Sequence, residues 1–318
     1  MIRTLVSALL MLVVSLALVA YLPGSVAPPM KIANGTVLRM TEVRNPLFNP
    51  TIPPGYALYS VTYESEGLPT QGYLGVPPGR GPFQLLVVLH GGYIEATGHP
   101  SATMGYSDAD AAQAAMPALV VFIPNYRGYR PSPGDVRDGY QDYLDALNGL
   151  KAIGMLRDVR VAQRETYLTG GSLGGFVAMR LAESDRNVRA VVLTSPWPGA
   201  KWAWSWLNAN FMHLDKADMS FYGEIQGMRT NADTAWLREN SVNFTALKSP
   251  ILVVGGRQDQ LNPPAMVEAL ARQIRRYDPH VTVDIVPGGH APVGTPRWDS
   301  DFSSFLNRWG INFFVPTF

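Results

Sequence analysis

The chain of 318 residues has no cysteine. Disulfides, thiolate metal sites and a cysteine nucleophile are therefore excluded. It also lacks an excess of either charge: 26 basic residues face 25 acidic ones, only 16% of the chain is charged, and no basic block stands out. Nucleic acid demands a concentrated positive surface and is not an expected partner. The five histidines (His90, His99, His213, His280 and His290) are dispersed, so they do not read as a metal cluster. No phosphate-binding glycine loop and no internal repeat is present. Neither a metal nor an organic cofactor is expected.

What is there begins with an apolar run from Leu5 to Leu22, broken only by Ser7 and Ser15 and preceded by Arg3. As a helix this run would be about 27 Å long, close to the hydrocarbon thickness of a bilayer. Ser25-Val26-Ala27 offers small residues for signal-peptide cleavage, whereas Pro28 directly behind them would hinder it. Residues 1–27 thus read as a cleaved signal peptide or as a retained membrane anchor. Either way the rest of the chain lies outside the cytoplasm, secreted, periplasmic or membrane-anchored. A buried soluble helix is the remaining reading. Residues 28–55 are rich in proline and read as a tether.

From Tyr56 to Phe318 the pattern is that of an α/β domain. "YALYSVTYES" and "TQGYLGVP" alternate as two strands around a turn at Gly67-Leu68-Pro69. "QLLVVLH", "ALVVFI", "TYLTG", "AVVLTS" and "ILVVGG" are continuous apolar runs, as strands buried on both faces should be, and "VTVDIVP" is a last alternating one. Helical stretches fall near 107–116, 135–153, 175–184, 263–277 and 298–308. The prediction is a mostly parallel sheet of eight strands flanked by helices. One connection, about 196–249, is too long for a simple crossover and holds Trp197, Trp202, Trp204, Trp206 and Trp236. It reads as a helical cap whose aromatic walls would receive an apolar substrate group, or as an ordinary helical excursion with buried aromatics.

In such sheets the loops leaving the carboxyl ends of the strands converge on one crevice. Four of these loops carry suggestive residues. "TGGSLGGF" puts Ser172 on a tight strand-to-helix turn that would lift its hydroxyl, with the N–H of Leu173 beside it. His90-Gly91-Gly92 follows the first apolar strand, where paired glycines let backbone N–H groups approach an oxyanion; Gly92 is the first choice of donor and Gly91 the second. His90 itself is expected to brace that loop rather than transfer protons. Asp259, after "ILVVGG", can orient a histidine or instead cap the next helix. His290, in "GGHA" after the last strand, can swing over the serine as a base.

The order Ser172, Asp259, His290 is that of α/β-hydrolases. More specifically, the chain resembles the catalytic domain of the prolyl oligopeptidase family of serine peptidases. The matching residues are "HGGY" at 90–93, "PNYRGY" at 124–129, "GGSLGG" at 170–175, "GGRQD" at 255–259 and "GGHA" at 288–291, and the likeness runs from about Tyr56 to the end. It implies the α/β-hydrolase fold, a triad of Ser172, Asp259 and His290, and oxyanion donors from the HGG loop and Leu173. It departs from the family in having Leu173 where an aromatic is common and Tyr93 where proline is common. The stretch between the apolar run and the first strand is also too short for the family's β-propeller. Tyr93, Tyr126, Arg127, Trp197 and Trp202 are candidate substrate contacts, with an arginine-braced turn as the other reading of the "NYRG" segment. The expected function is a serine hydrolase, first a peptidase and alternatively a carboxylesterase. A catalytically silent binding protein of the same fold is the third reading.

Overall fold

The continuous apolar runs become sheet strands whose successive side chains feed two separate cores. In the computed structural model, which describes residues 31–45, 51–92, 103–136, 138–210, 212 and 234–312, Leu85, Val87, Leu89, Val120, Phe122, Val191, Leu193, Ile251 and Val253 point into one apolar cluster. Their neighbours Leu86, Leu119, Val121, Ile123, Ala190, Val192, Leu252 and Val254 point into another. A run without polar alternation is what a strand covered on both faces requires.

The chain opens with β1 (Val37–Glu42), β2 (Ala57–Ser65), β3 (Leu68–Val76) and β4 (Phe83–Leu89). It continues through β5 (Thr103–Met104), α1 (Asp108–Gln113), β6 (Leu119–Pro124), β7 (Tyr129–Arg130), α2 (Gly139–Met155) and β8 (Val161–Gly171). Then follow α3 (Leu173–Ser184), β9 (Val188–Thr194), α4 (Ala200–Asn210) and α5 (Thr234–Glu239). The last elements are β10 (Ile251–Gly256), α6 (Pro264–Arg275), β11 (Val281–Val286) and α7 (Pro296–Arg308). The main sheet has the order β1-β2-β3-β6-β4-β8-β9-β10-β11. Its β1/β2, β2/β3 and β3/β6 contacts are antiparallel, and those from β6 to β11 are parallel. Helices α2, α3 and α6 supply the first cluster, whereas α1 and α7 supply the second.

The sheet has nine strands where eight were expected. The additional one, β1, lies inside the stretch read as a tether and pairs with β2 from Val37 opposite Tyr63 to Glu42 opposite Tyr59. From Leu38 onward its side chains are exposed, so backbone pairing rather than an apolar face holds it, and no alternation marks it in the sequence.

The long connection after β9 is helical where it is described. α4 and α5 are drawn together by a bridge between Gly199 and Ser241 and by Ala200 N–H donating to Asn240 O at 2.7 Å. Trp202, Trp204, Trp206 and Trp236 are half-buried against the first apolar cluster. Residues 213–233 of the expected cap, and the whole apolar run of residues 5–22, lie outside the described residues. Among the described residues no helix is long and apolar enough to cross a membrane.

Candidate active site

The elbow at Ser172 is built by crowding. A Cβ on Gly170 would lie 2.2 Å from Gly174 O, and one on Gly174 would lie 2.1 Å from Leu89 O, so the turn closes only with glycine at both positions. Ser172 is forced to φ +52° and ψ −120°, a conformation that costs about 1–3 kcal/mol for a residue with a side chain. Its N–H donates to Thr194 O at 2.9 Å, and its carbonyl accepts from Gly175 at 3.0 Å and Trp197 at 2.8 Å. The backbone is thereby pinned by the end of β9 while the side chain stays half-exposed. Leu173 begins α3, where a helix has no carbonyl of its own to pair with the first N–H groups.

The HGG loop leaves β4 directly above this elbow. A Cβ on Gly91 would sit 3.3 Å from Ser172 Cβ, which places the loop against the serine. His90 beside it is 7% exposed. Its Nδ1 lies 2.7 Å from Gly91 O and its Nε2 accepts from Tyr126 N–H at 3.4 Å, so the tautomer these contacts require carries its proton on Nδ1. The ring stacks on Tyr126 at 4.0 Å and meets Tyr129 edge-on at 4.8 Å. Burial pushes this imidazole down to about 4, against the opposing effect of the Gly91 carbonyl. Held neutral with both nitrogens engaged, His90 braces the loop.

Farther along the sheet, the loop after β10 and the loop after β11 are joined by their backbones. Gln258 N–H donates to Gly288 O at 2.8 Å, and Gly288 N–H returns a bond to Gln258 Oε1 at 2.7 Å. A Cβ on Gly256 would fall 1.9 Å from Gly289 O, so the two loops touch. This contact presents His290 Nδ1 to both oxygens of Asp259, each at 3.1 Å. Asp259 is 4% exposed. Its Oδ1 also accepts from Leu261 N–H and Asn262 N–H, each at 2.9 Å. Burial, the largest influence, works to raise the Asp259 carboxyl. The His290 hydrogen bond, the Asn262 N–H, the His290 charge and the Ser195 hydroxyl outweigh it and leave the group below its ordinary value. Asp259 thus holds the imidazole and accepts two loop N–H groups; it does not cap α6, whose N-cap is Pro263 with no side-chain cap bond.

The structure gathers Gly91 to Ser172 and Asp259 to His290, and it binds Trp197 to the elbow through its backbone. Gly92 follows Gly91 at the edge of the same loop, and Trp202 leans on the core from α4. Tyr93 lies outside the described residues. Two expected substrate contacts are corrected. Tyr126 is fully buried beneath His90 and offers no surface to a ligand. Arg127, 6% exposed, is committed to Asp145 of α2 through Nε at 2.9 Å and a second guanidinium nitrogen at 2.6 Å, while its backbone N–H donates to the same carboxylate at 2.8 Å. That is the braced turn, not a substrate clamp. The sequence reading missed Asn262 and Ser195 behind Asp259. The only signal was the spacing of Asp259 to Asn262, a three-residue step that lets a carboxylate cap a turn.

A model of the alpha/beta hydrolase family matches residues 86–298. No curated protein matches the chain. Among solved structures, the chain is similar to the Pyrococcus furiosus esterase Pf2001 at 19% identity and TM-score 0.57, covering 79% of this chain and 90% of that one. It is similar to an acetyl xylan esterase from Paenibacillus sp. R4 at 18% identity and TM-score 0.61, covering 85% and 88%. An acylaminoacyl peptidase from Pyrococcus horikoshii matches at 16% identity and TM-score 0.60, covering 80% of this chain but 41% of the peptidase.

Proposed function

The chain belongs to the alpha/beta hydrolase family, and from that premise we propose that it is a serine hydrolase in which Ser172, His290 and Asp259 act as nucleophile, base and orienting acid. The observation that carries the reading is the His290–Asp259 pair, set by touching loops, in a chain that also builds a strained serine elbow at the end of a parallel strand. Neutral His290 takes the proton from Ser172 as its Oγ attacks a substrate carbonyl. The N–H groups of Leu173 and Gly92, with Gly91 as the second choice, receive the oxyanion. His290 then returns the proton to the leaving alkoxide or amine, and water repeats the sequence on the acyl-enzyme. Asp259 is already ionised well into the acid range and keeps the imidazole in the tautomer that accepts the serine proton.

The substrates are small acyl compounds, and esters are the first reading. The chain spans nearly the whole length of the esterases it is similar to, but only 41% of the peptidase. Peptides are the second reading, favoured by the "NYRG" and "GGSLGG" motifs. The apolar residues 5–22 support a place outside the cytoplasm, secreted, periplasmic or membrane-anchored. Ser172→Ala is expected to abolish labelling by a fluorophosphonate probe while the folded circular-dichroism spectrum persists; undiminished labelling sinks the assignment. Comparing kcat/KM on aminoacyl anilides and p-nitrophenyl esters separates the two substrate classes, with the amide value deciding, because peptidases also cleave activated esters.

A further inference from the structure

Ser172 and His290 follow β8 and β11, with β9 and β10 between them in the sheet. Proton transfer needs the imidazole within hydrogen-bond reach of the serine hydroxyl, so the two loops have to share one frame. The main-chain bond from Gln258 to Gly288 joins the base to the acid but does not reach the serine.

One residue reaches both sides. Thr194, the last residue of β9, accepts the Ser172 N–H with its carbonyl at 2.9 Å. Its hydroxyl accepts from the indole N–H of Trp298 at 2.9 Å. Trp298 lies in the first turn of α7, and the chain from His290 to it is tightly folded. Pro292 O accepts both the N–H and the hydroxyl of Thr295, at 3.3 and 2.9 Å, and Thr295 Oγ1 accepts the Trp298 N–H at 3.4 Å. The histidine loop therefore ends on a helix whose first turn is bonded to the residue that pins the nucleophile.

Packing alone explains neither partner. Thr194 and Trp298 are 3% and 9% exposed. Thr194 continues the alternation of Ala190 and Val192, which point into the second apolar cluster, where valine would fill the same space. The Trp298 ring stacks on Phe302 at 4.8 Å in that cluster, and phenylalanine could make such a stack. A buried hydroxyl and a buried indole N–H each cost free energy unless paired. Apolar contact is non-directional, whereas a hydrogen bond fixes distance and angle.

We propose that the Trp298–Thr194 pair is the tie that keeps the histidine loop in register with the serine elbow, which makes both of them positioning residues for proton transfer from Ser172 to His290. This inference rests on the triad reading.

The test uses the full-length chain purified in detergent, with p-nitrophenyl acetate as substrate and active sites counted by fluorophosphonate uptake. Thr194→Val keeps the shape and removes the acceptor; Trp298→Phe keeps a ring and removes the donor. Each is expected to lower kcat per titrated site by roughly tenfold with KM within about twofold, because a displaced base impairs proton transfer and not binding. Both delete the same bond, so the double variant is expected to be no slower than the slower single one. Thr194→Ser, which keeps the hydroxyl, is expected to recover most of the rate. A purely packing role would lower Tm and leave kcat per titrated site at the wild-type value, and that result overturns the proposal. Losses that multiply in the double variant also overturn it, as does a Thr194→Ser variant as slow as Thr194→Val. If Trp298→Phe does not fold, the valine and serine variants of Thr194 decide. If the wild-type chain takes up no fluorophosphonate, the triad reading itself fails; if it labels normally and the valine and serine variants turn over alike, only the tie falls.

Discussion

His90 and His290 both follow sheet strands, yet their surroundings differ in burial and in what each ring nitrogen meets. His90 is enclosed by Tyr106, Tyr126 and Tyr129, with one nitrogen on a backbone carbonyl and the other on a backbone N–H. His290 keeps 27% of its side chain exposed and has one nitrogen on a buried carboxylate. The difference teaches that an imidazole near a reactive serine earns a chemical role by what it is left free to bind. An aromatic box that excludes water and saturates both nitrogens makes a histidine a strut; a carboxylate on one side and an opening on the other suit it to the proposed role of base.

The comparison breaks most visibly under His290→Ala. Turnover on a p-nitrophenyl ester is expected to fall on the order of 10⁴- to 10⁶-fold, whereas His90→Asn should still label with fluorophosphonate at a temperature where it is folded. Equal losses from the two substitutions would erase the distinction. Next in size is Arg127→Ala, which leaves Asp145 buried without its ionic partner, held only by the Ser65 hydroxyl and the backbone N–H at 127; a loss of about 3–5 kcal/mol in urea unfolding is expected, with labelling per folded molecule unchanged. A drop in labelling at constant folded fraction would return Arg127 to the crevice.

The pH dependence of stability sharpens the contrast further. His90 binds a proton at about 4 when folded and near 6.5 when unfolded. Between those values the unfolded chain takes up a proton that the folded chain refuses, so stability declines as pH falls from 6.5 towards 4. Over the whole window this amounts to about 3 kcal/mol. Urea melts at pH 7 and pH 4.5 should show that slope in the wild type and a flatter one in His90→Asn. Asp259 works on a lower window: its folded carboxyl sits below its ordinary value, so its contribution is present above that value and disappears only as pH falls through the lowered one. The smallest effect is reserved for the exposed Arg297, paired with Asp284 and Asp301. Arg297→Ala should leave Tm unchanged within error, because exposed ion pairs are screened.

The sequence disclosed the parts of this molecule that repeat a local rule. Uninterrupted apolar runs such as "QLLVVLH" marked the two-sided strands, and the glycines around Ser172 marked a turn that allows no side chain at Gly170 or Gly174. The pairing of Asp259 with His290 followed from their places after successive strands. What stayed hidden depended on partners far along the chain. Arg127 meets Asp145 on a helix that begins twelve residues later, and nothing local says that this arginine faces inward. β1 escaped because an edge strand with exposed side chains has no apolar period. Ser195 was passed over because a left-handed backbone at a serine leaves no mark in composition.

The near-contact of Gly256 with the backbone of Gly289 has a practical consequence. The two loops are registered by main-chain bonds, so the loop that carries His290 is expected to keep its place when the Asp259 carboxylate is taken away. Its removal should leave a socket with the base still in position. A small soluble carboxylate, such as formate supplied to an Asp259→Gly variant, would then have a ready-made berth, and an inactive enzyme would become one switched on by an additive.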